Sequence, residues 1–206
     1  MTRQGTRRTK QQVVAEFRHA EILDAARRVF AARGFEGASV DDIARRARVA
    51  KGTVYLYYPS KRALYRAALR RGLESLLRQL RRRVCAAQTV RDKIRAFMTT
   101  KIDYFEEHGD FFRIYCAEAG RAGCRPADLE RDLEAFSREQ LALLQDALAL
   151  PGAGGRPGRP RPAAAFALAD MTHGVVTRRL FGRSRAETRR DVAFLLEMAE
   201  KGLAAR

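Results

Sequence analysis

The stretch that most constrains the fold runs over residues 39–61. Ser39 stands before an apolar series at helical spacing, Val40, Ile43, Ala44 and Ala47, with Asp42 three residues after it in the pattern of a capping box. The series breaks at Arg48, Val49 and Ala50. Helical spacing resumes from Lys51 to Tyr57 and stops before Pro59, because the residue preceding a proline is pushed out of the helical region. Ser60 then stands where it can cap another helix. Two short helices meeting at a tight corner, with small Ala44 permitting close approach, predict a helix-turn-helix.

The second of these helices carries the chemistry. Lys51, Thr53, Tyr55 and Tyr57 fall on its outer face, Val54 and part of Tyr58 turn inward, and Gly52 bares the backbone of the first turn. Cationic, hydroxyl and phenolic groups on one face suit phosphate oxygens and base edges in a major groove. The charge agrees. The chain carries +17, and residues 1–90 hold 21 Lys or Arg against 7 Asp or Glu, whereas residues 91–206 hold 20 against 17. A compositional bias toward Arg and Ala would raise the total without producing this asymmetry, which is the electrostatic footprint of nucleic-acid binding.

These residues resemble the TetR family of bacterial transcriptional regulators. The likeness rests on residues 25–30, 34–37, 39–44, 51–58 and 61–64, and it covers roughly residues 17–70. It implies an all-α chain of about nine helices. A basic arm (1–16) precedes a three-helix DNA-binding domain with the helix-turn-helix (17–64). A long fourth helix leads into a C-terminal effector-binding and dimerisation domain (65–206). The expected DNA contacts are Ser39, Arg45, Arg48, Lys51, Gly52, Thr53, Tyr55, Leu56, Tyr57 and Lys61. Two positions depart from the family pattern, whose corner reads Gly-Val-Ser where this chain has Arg48, Val49 and Ala50. A non-glycine in a left-handed corner costs about 1 kcal/mol, and a lost serine cap costs about as much.

Along the chain, residues 1–15 read as a solvated basic arm that could alternatively lie along DNA. A first helix over 17–33 buries Phe17, Ile22, Ala25, Ala26, Val29 and Phe30, and Gly34 ends it. The fourth helix runs from Lys61 to about Val84, with Lys61 at its positive end, where a phosphate is favoured. Further helices are predicted over 90–107, 110–120, 126–149, 163–182 and 185–203, with a Gly- and Pro-rich linker at 150–162.

The aromatic residues of the second half read first as core. As a pocket with a few polar groups, they would set Phe97, Phe105, Phe112 and Phe136 around Lys101, Tyr104, Tyr115 and His173, for a small and largely apolar effector. The two terminal helices are more apolar than one small core needs. Phe166, Val176, Leu180, Val192, Leu195, Leu196 and Ala199 are expected at a homodimer interface, and the resemblance implies dimerisation through these helices. Two recognition helices one turn apart would then read a palindromic operator.

No apolar run reaches the ~18 residues of a membrane span, and no secretory signal is evident, so a cytoplasmic protein is expected. Cys85, Cys116 and Cys124 form neither a disulfide framework nor a zinc pattern. His19, His108 and His173 lack metal-ligand spacing. No nucleophile elbow or phosphate loop occurs, so neither an enzyme nor a cofactor is expected. The combined reading is a dimeric repressor released from double-stranded DNA by a small effector. The alternatives are a regulator sensing through the Cys85 thiol, or an activator.

Overall fold

The computed structural model describes residues 9–121, 124–150, 162–181 and 188–204. Among the described residues there are nine helices and no strand. They are α1 (Lys10–Gly37), α2 (Val40–Ala47), α3 (Lys51–Tyr57), α4 (Lys61–Ala86), α5 (Val90–Glu107), α6 (Gly109–Ala119), α7 (Ala127–Leu148), α8 (Pro162–Phe181) and α9 (Thr188–Ala204). The chain divides into two compact units. One takes residues up to Arg71 together with Arg113–Gly120, and the other takes Gly72–Phe112 with the residues from Arg121 onward.

In the first unit, α2 packs on both α1 and α3. Ile22, Ala26 and Phe30 of α1 are buried with Ile43 and Ala44 of α2 and with Val54 of α3. The Phe30 ring meets Tyr65 edge-on at 4.9 Å, and Phe35 meets the same ring at 5.1 Å. Tyr65 in turn donates a hydrogen bond of 2.7 Å to the buried Glu118 carboxylate.

Two expectations for α1 need correction. The helix begins at Lys10, within the segment read as a basic arm. The stretch Lys10–Glu16 contains no Gly or Pro, and Lys10, Gln11, Gln12, Ala15 and Glu16 favour the helix enough to carry Val13 and Val14. The remainder of that arm, residues 1–8, lies outside the described residues. Phe17 is 63% exposed rather than buried. It lies five residues before Ile22, which places it about 140° around the helix from the buried stripe. Gly34 interrupts α1 as expected, with φ 70° and ψ 179°, a conformation that favours glycine, but one more turn follows it to Gly37.

In the second unit, α5 packs against α7, α8 and α9. Phe97, Met98, Ile102 and Phe105 of α5 are fully buried, and so are Leu144 of α7 and Ala165 of α8. The rings of Phe105, Phe111 and Phe112 form one cluster, with centroids 4.8 and 5.7 Å from Phe105. Gly72 is required by this packing. A Cβ there would stand 2.3 Å from the Phe111 ring, and the Gly72 carbonyl accepts the Tyr104 hydroxyl at 3.0 Å. The expected linker at 150–162 lies almost wholly outside the described residues.

Gly72→Ala should therefore destabilise the protein by about 1–3 kcal/mol, the usual cost of overpacking a filled core. A lowered urea midpoint at unchanged slope is the expected readout.

Candidate nucleic-acid interface

The corner is built from α2 outward. Ser39 is extended (φ −117°), and its Oγ accepts from the Asp42 N–H at 3.1 Å. The same hydroxyl donates to the Asp42 carboxylate at 2.7 Å, which also receives Arg33 at 2.5 Å and Arg45 at 3.1 Å. The Ser39 hydroxyl, followed by these two guanidinium groups, holds the Asp42 carboxyl below the usual carboxylate range. Ser39 and Arg45, both expected at DNA, thus also clasp the start of α2.

At the other end of α2, Arg48 is left-handed (φ 56°, ψ 41°), the only non-glycine with positive φ among the described residues. Its N–H reaches the Arg45 carbonyl at 3.2 Å, and the Val49 N–H reaches the Ala44 carbonyl at 3.0 Å. This is a Schellman stop in which arginine occupies the position glycine normally takes. The Arg48 side chain is exposed.

Helix α3 starts at Ala50 with no side-chain cap. Val54 is 1% exposed and anchors it, whereas Tyr55 is 44% and Leu56 86% exposed. Lys51 is exposed and ion-paired to Asp41 at 2.7 Å. The Asp41 carboxylate holds the Lys51 ammonium above its ordinary pKa, although an exposed pair of this kind adds little stability. Nothing lies within 4 Å of the position a Cβ would take at Gly52. Thr53 and Tyr57 are half-buried.

His19 of α1 escaped the sequence reading. Its ring lies 5.8 Å edge-on from Tyr57 and 5.1 Å from Tyr58, and its Nε2 is 2.7 Å from the Tyr58 hydroxyl. Burial, with Arg71 nearby, lowers the His19 pKa, and burial raises that of Tyr58. No local spacing links residue 19 to residue 58, so only the fold reveals the contact.

Lys61 differs from expectation in its local role. Its ammonium donates to the Glu36 and Ala38 carbonyls at 3.3 and 3.2 Å and sits 4.6 Å over the Phe35 ring. It ties the start of α4 to the end of α1. A cleft of about 360 Å³ lined by Glu21, Asp24, Arg28, Arg46 and Arg48 opens beside α2. Its charges are mixed, and Asp24 is engaged by Arg27 and Arg28.

Of the expected effector residues, Phe97, Lys101, Tyr104, Phe105, Phe112 and Phe136 are buried in the second unit. Half-buried His173 lies there too, 5.8 Å from the Phe112 ring. Tyr115 belongs to the first unit. Lys101 is 2% exposed, donates to Gln140 Oε1 at 3.0 Å, and has the Ala169 carbonyl at 3.5 Å. Burial lowers its pKa to about 8, with the Asp170 charge partly opposing. Burial, and then the Lys101 charge, lowers that of His173.

Of the expected dimer residues, Val176, Val192, Leu195, Leu196 and Ala199 are already buried within the protomer. Phe166 is 51% exposed, and Phe194 and Met198 are also exposed, at 63% and 47%. The Leu180 side chain lies outside the described residues. Cys85 and Cys124 are exposed thiols, and burial raises the Cys116 pKa to about 11. Among the described residues, no group of His, Cys, Asp and Glu is arranged to hold a metal ion, and no helix is long and apolar enough to cross a membrane.

A corner of this geometry on an all-α chain, with a short basic and aromatic helix turned outward, defines a helix-turn-helix protein of the DNA-binding class. Residues 22–68 match the family model described as bacterial regulatory proteins, tetR family. The transcriptional activator FasR of Mycolicibacterium smegmatis is 31% identical over 110 residues, 53% of this chain and 50% of that protein. The transcriptional regulator RutR of Escherichia coli is 34% identical over 128 residues, 60% of this chain and 58% of that protein. The chain spans about half the length of these curated relatives. A solved structure of the regulator FadR from Bacillus subtilis, in complex with stearoyl-CoA, shares the fold. Its TM-score is 0.73 at 18% identity, covering 89% of this chain and 98% of that one. Over residues 22–68 the chain carries a helix-turn-helix region of the tetR type.

Two outcomes follow from the local geometry. Arg48→Gly should stabilise the protein by about 1 kcal/mol, because it removes the left-handed penalty; a raised urea midpoint would register it. For Lys101, the unfolded chain binds more protons than the folded one between pH 8 and 10.5. Stability should therefore rise across that window, by about 3 kcal/mol if the burial effect acts in full. Lys101→Met should lack this rise when chemical denaturation is repeated at each pH.

Proposed function

We propose that this protein is a homodimeric, ligand-responsive transcriptional repressor that binds a palindromic operator in the cytoplasm and leaves it when a small, largely apolar effector binds. The observation that carries the DNA reading is Gly52. Glycine inside a helix costs about 1 kcal/mol relative to alanine, and no protein atom occupies the space a Cβ would take. The fold itself has no use for glycine there. A phosphate or base edge approaching the first turn of α3 does, since a missing Cβ lets the backbone N–H come close.

Around it, Lys51, Thr53, Tyr55, Leu56 and Tyr57 offer charge, hydroxyl and phenol to the backbone and base edges, and Leu56 offers an apolar face to a thymine methyl. Arg45 and Arg48 flank them toward phosphates. Lys61 acts through its hold on α1, as well as through charge. Exposed Phe166, Phe194 and Met198 support a dimer through α8 and α9. FadR was solved with stearoyl-CoA, which favours an effector with an apolar portion bound in the helical second unit. The effector works by preferring the dimer whose recognition helices are wrongly spaced, with a coupling of about 1–3 kcal/mol. An activator is the second reading, favoured by the name of the relative FasR.

Gly52→Ala separates folding from function. It should keep or raise the melting temperature while weakening operator affinity by about tenfold or more, as expected when a close backbone approach is blocked. Fluorescence anisotropy on an operator selected from random duplexes would measure it; unchanged affinity would remove Gly52 from the interface. Tyr57→Ala should weaken binding with a smaller salt slope if its phenol meets phosphate.

A further inference from the structure

We infer that the group recognised on the effector is a single carboxylate, bound by the Lys101 ammonium with Gln140 beside it. This rests on the ligand-responsive reading above and names the chemistry of that ligand. The Lys101 ammonium is enclosed in the core of the second unit, yet the atoms that receive it are neutral. They are the Gln140 amide oxygen at 3.0 Å, the Ala169 carbonyl at 3.5 Å and the Phe97 ring at 5.7 Å. The carboxylate of exposed Asp170 acts on it through space.

Buried charges in proteins are ordinarily paired, because desolvation costs more than neutral acceptors return. A methionine or leucine would fill this place between α5, α7 and α8 at no such cost. The fold thus carries a buried cation whose acceptors are all neutral. An entering anion would pair with the ammonium, and rotation of the Gln140 amide would turn its N–H₂ toward a second oxygen.

The charge balance selects the anion. Among the described residues Lys101 is the one buried Lys or Arg; His173, another titratable group that senses it, is kept toward its neutral form by burial and by Lys101 itself. One positive charge suits a monoanion. A phosphate ester or polyphosphate would leave uncompensated negative charge beside the Phe97 ring. That ring and the buried setting suit an apolar body behind the carboxylate.

The test uses the full-length protein and four acids, butyrate, octanoate, dodecanoate and benzoate, each against the alcohol of the same skeleton, by isothermal titration calorimetry. At least one acid should bind about tenfold or more tighter than its alcohol. Lys101→Met should erase that ratio, whereas Lys101→Arg should retain part of it. Unliganded Lys101→Met should melt no lower than the wild type. For the wild type alone, acid affinity should fall about fivefold between pH 8 and 9 as the amine deprotonates, while alcohol binding stays level. No preference for any acid, a preference that survives Lys101→Met, or a flat pH profile would overturn the assignment. If Lys101→Met fails to fold, Lys101 is structural and the assignment falls unless the wild-type acid preference and pH profile both hold. Operator affinity measured with the favoured acid separates the two readings. Binding through Lys101 that leaves operator affinity unchanged refutes the switch and keeps this site, whereas release by an uncharged effector alone keeps the switch and refutes this site.

Discussion

The burial of Val54, on the helix that packs against α2, is what the rest of the first unit depends on. Helix α3 is seven residues long and has no side-chain cap. A helix of that length does not persist on its own in water, since nucleation costs more than two turns return. It exists because one apolar side chain is fully removed from solvent, because Tyr58 is locked to His19, and because the Schellman turn at Arg48 delivers the chain at the correct angle. The outward residues are free to be chosen for another surface because none of them is needed to hold the helix.

Three of the four cations that clasp this corner, Arg45, Lys51 and Lys61, are ones the sequence reading expects at DNA. Arg33 and Arg45 share Asp42, Lys51 pairs with Asp41, and Lys61 caps carbonyls at the end of α1. Surface ion pairs of this kind are weak, so phosphate oxygens can displace the carboxylates at small cost. Under the proposed function, Arg45, Lys51 and Lys61 would therefore serve two states, orienting the corner when DNA is absent and meeting phosphate when it is present.

The helix-turn-helix was legible to the residue. Its boundaries follow from local causes: the Ser39 cap, the apolar spacing of α2, and Pro59 after α3. Helices α5 and α7 were legible for the same reason, since their buried residues recur at regular spacing. What was not legible is non-local. The start of α1 depends on propensity, and Phe17 has the residue type of a core position but the wrong angle around the helix. The His19 contact with Tyr58, the tie from Lys61 to α1, and the neutral surroundings of Lys101 join residues 23 to 68 positions apart. The protomer core takes most of the residues assigned to the dimer, because two apolar helices must first cover each other before they can cover a partner.

The most direct test of the central claim, a recognition helix presented in duplicate to successive major grooves, is guanine-N7 methylation protection on a selected operator. The account predicts two protected blocks about one helical turn apart, related by a two-fold axis. Both should vanish together in the Gly52→Ala variant. A single block, or protection confined to adenine N3 in the minor groove, would contradict it.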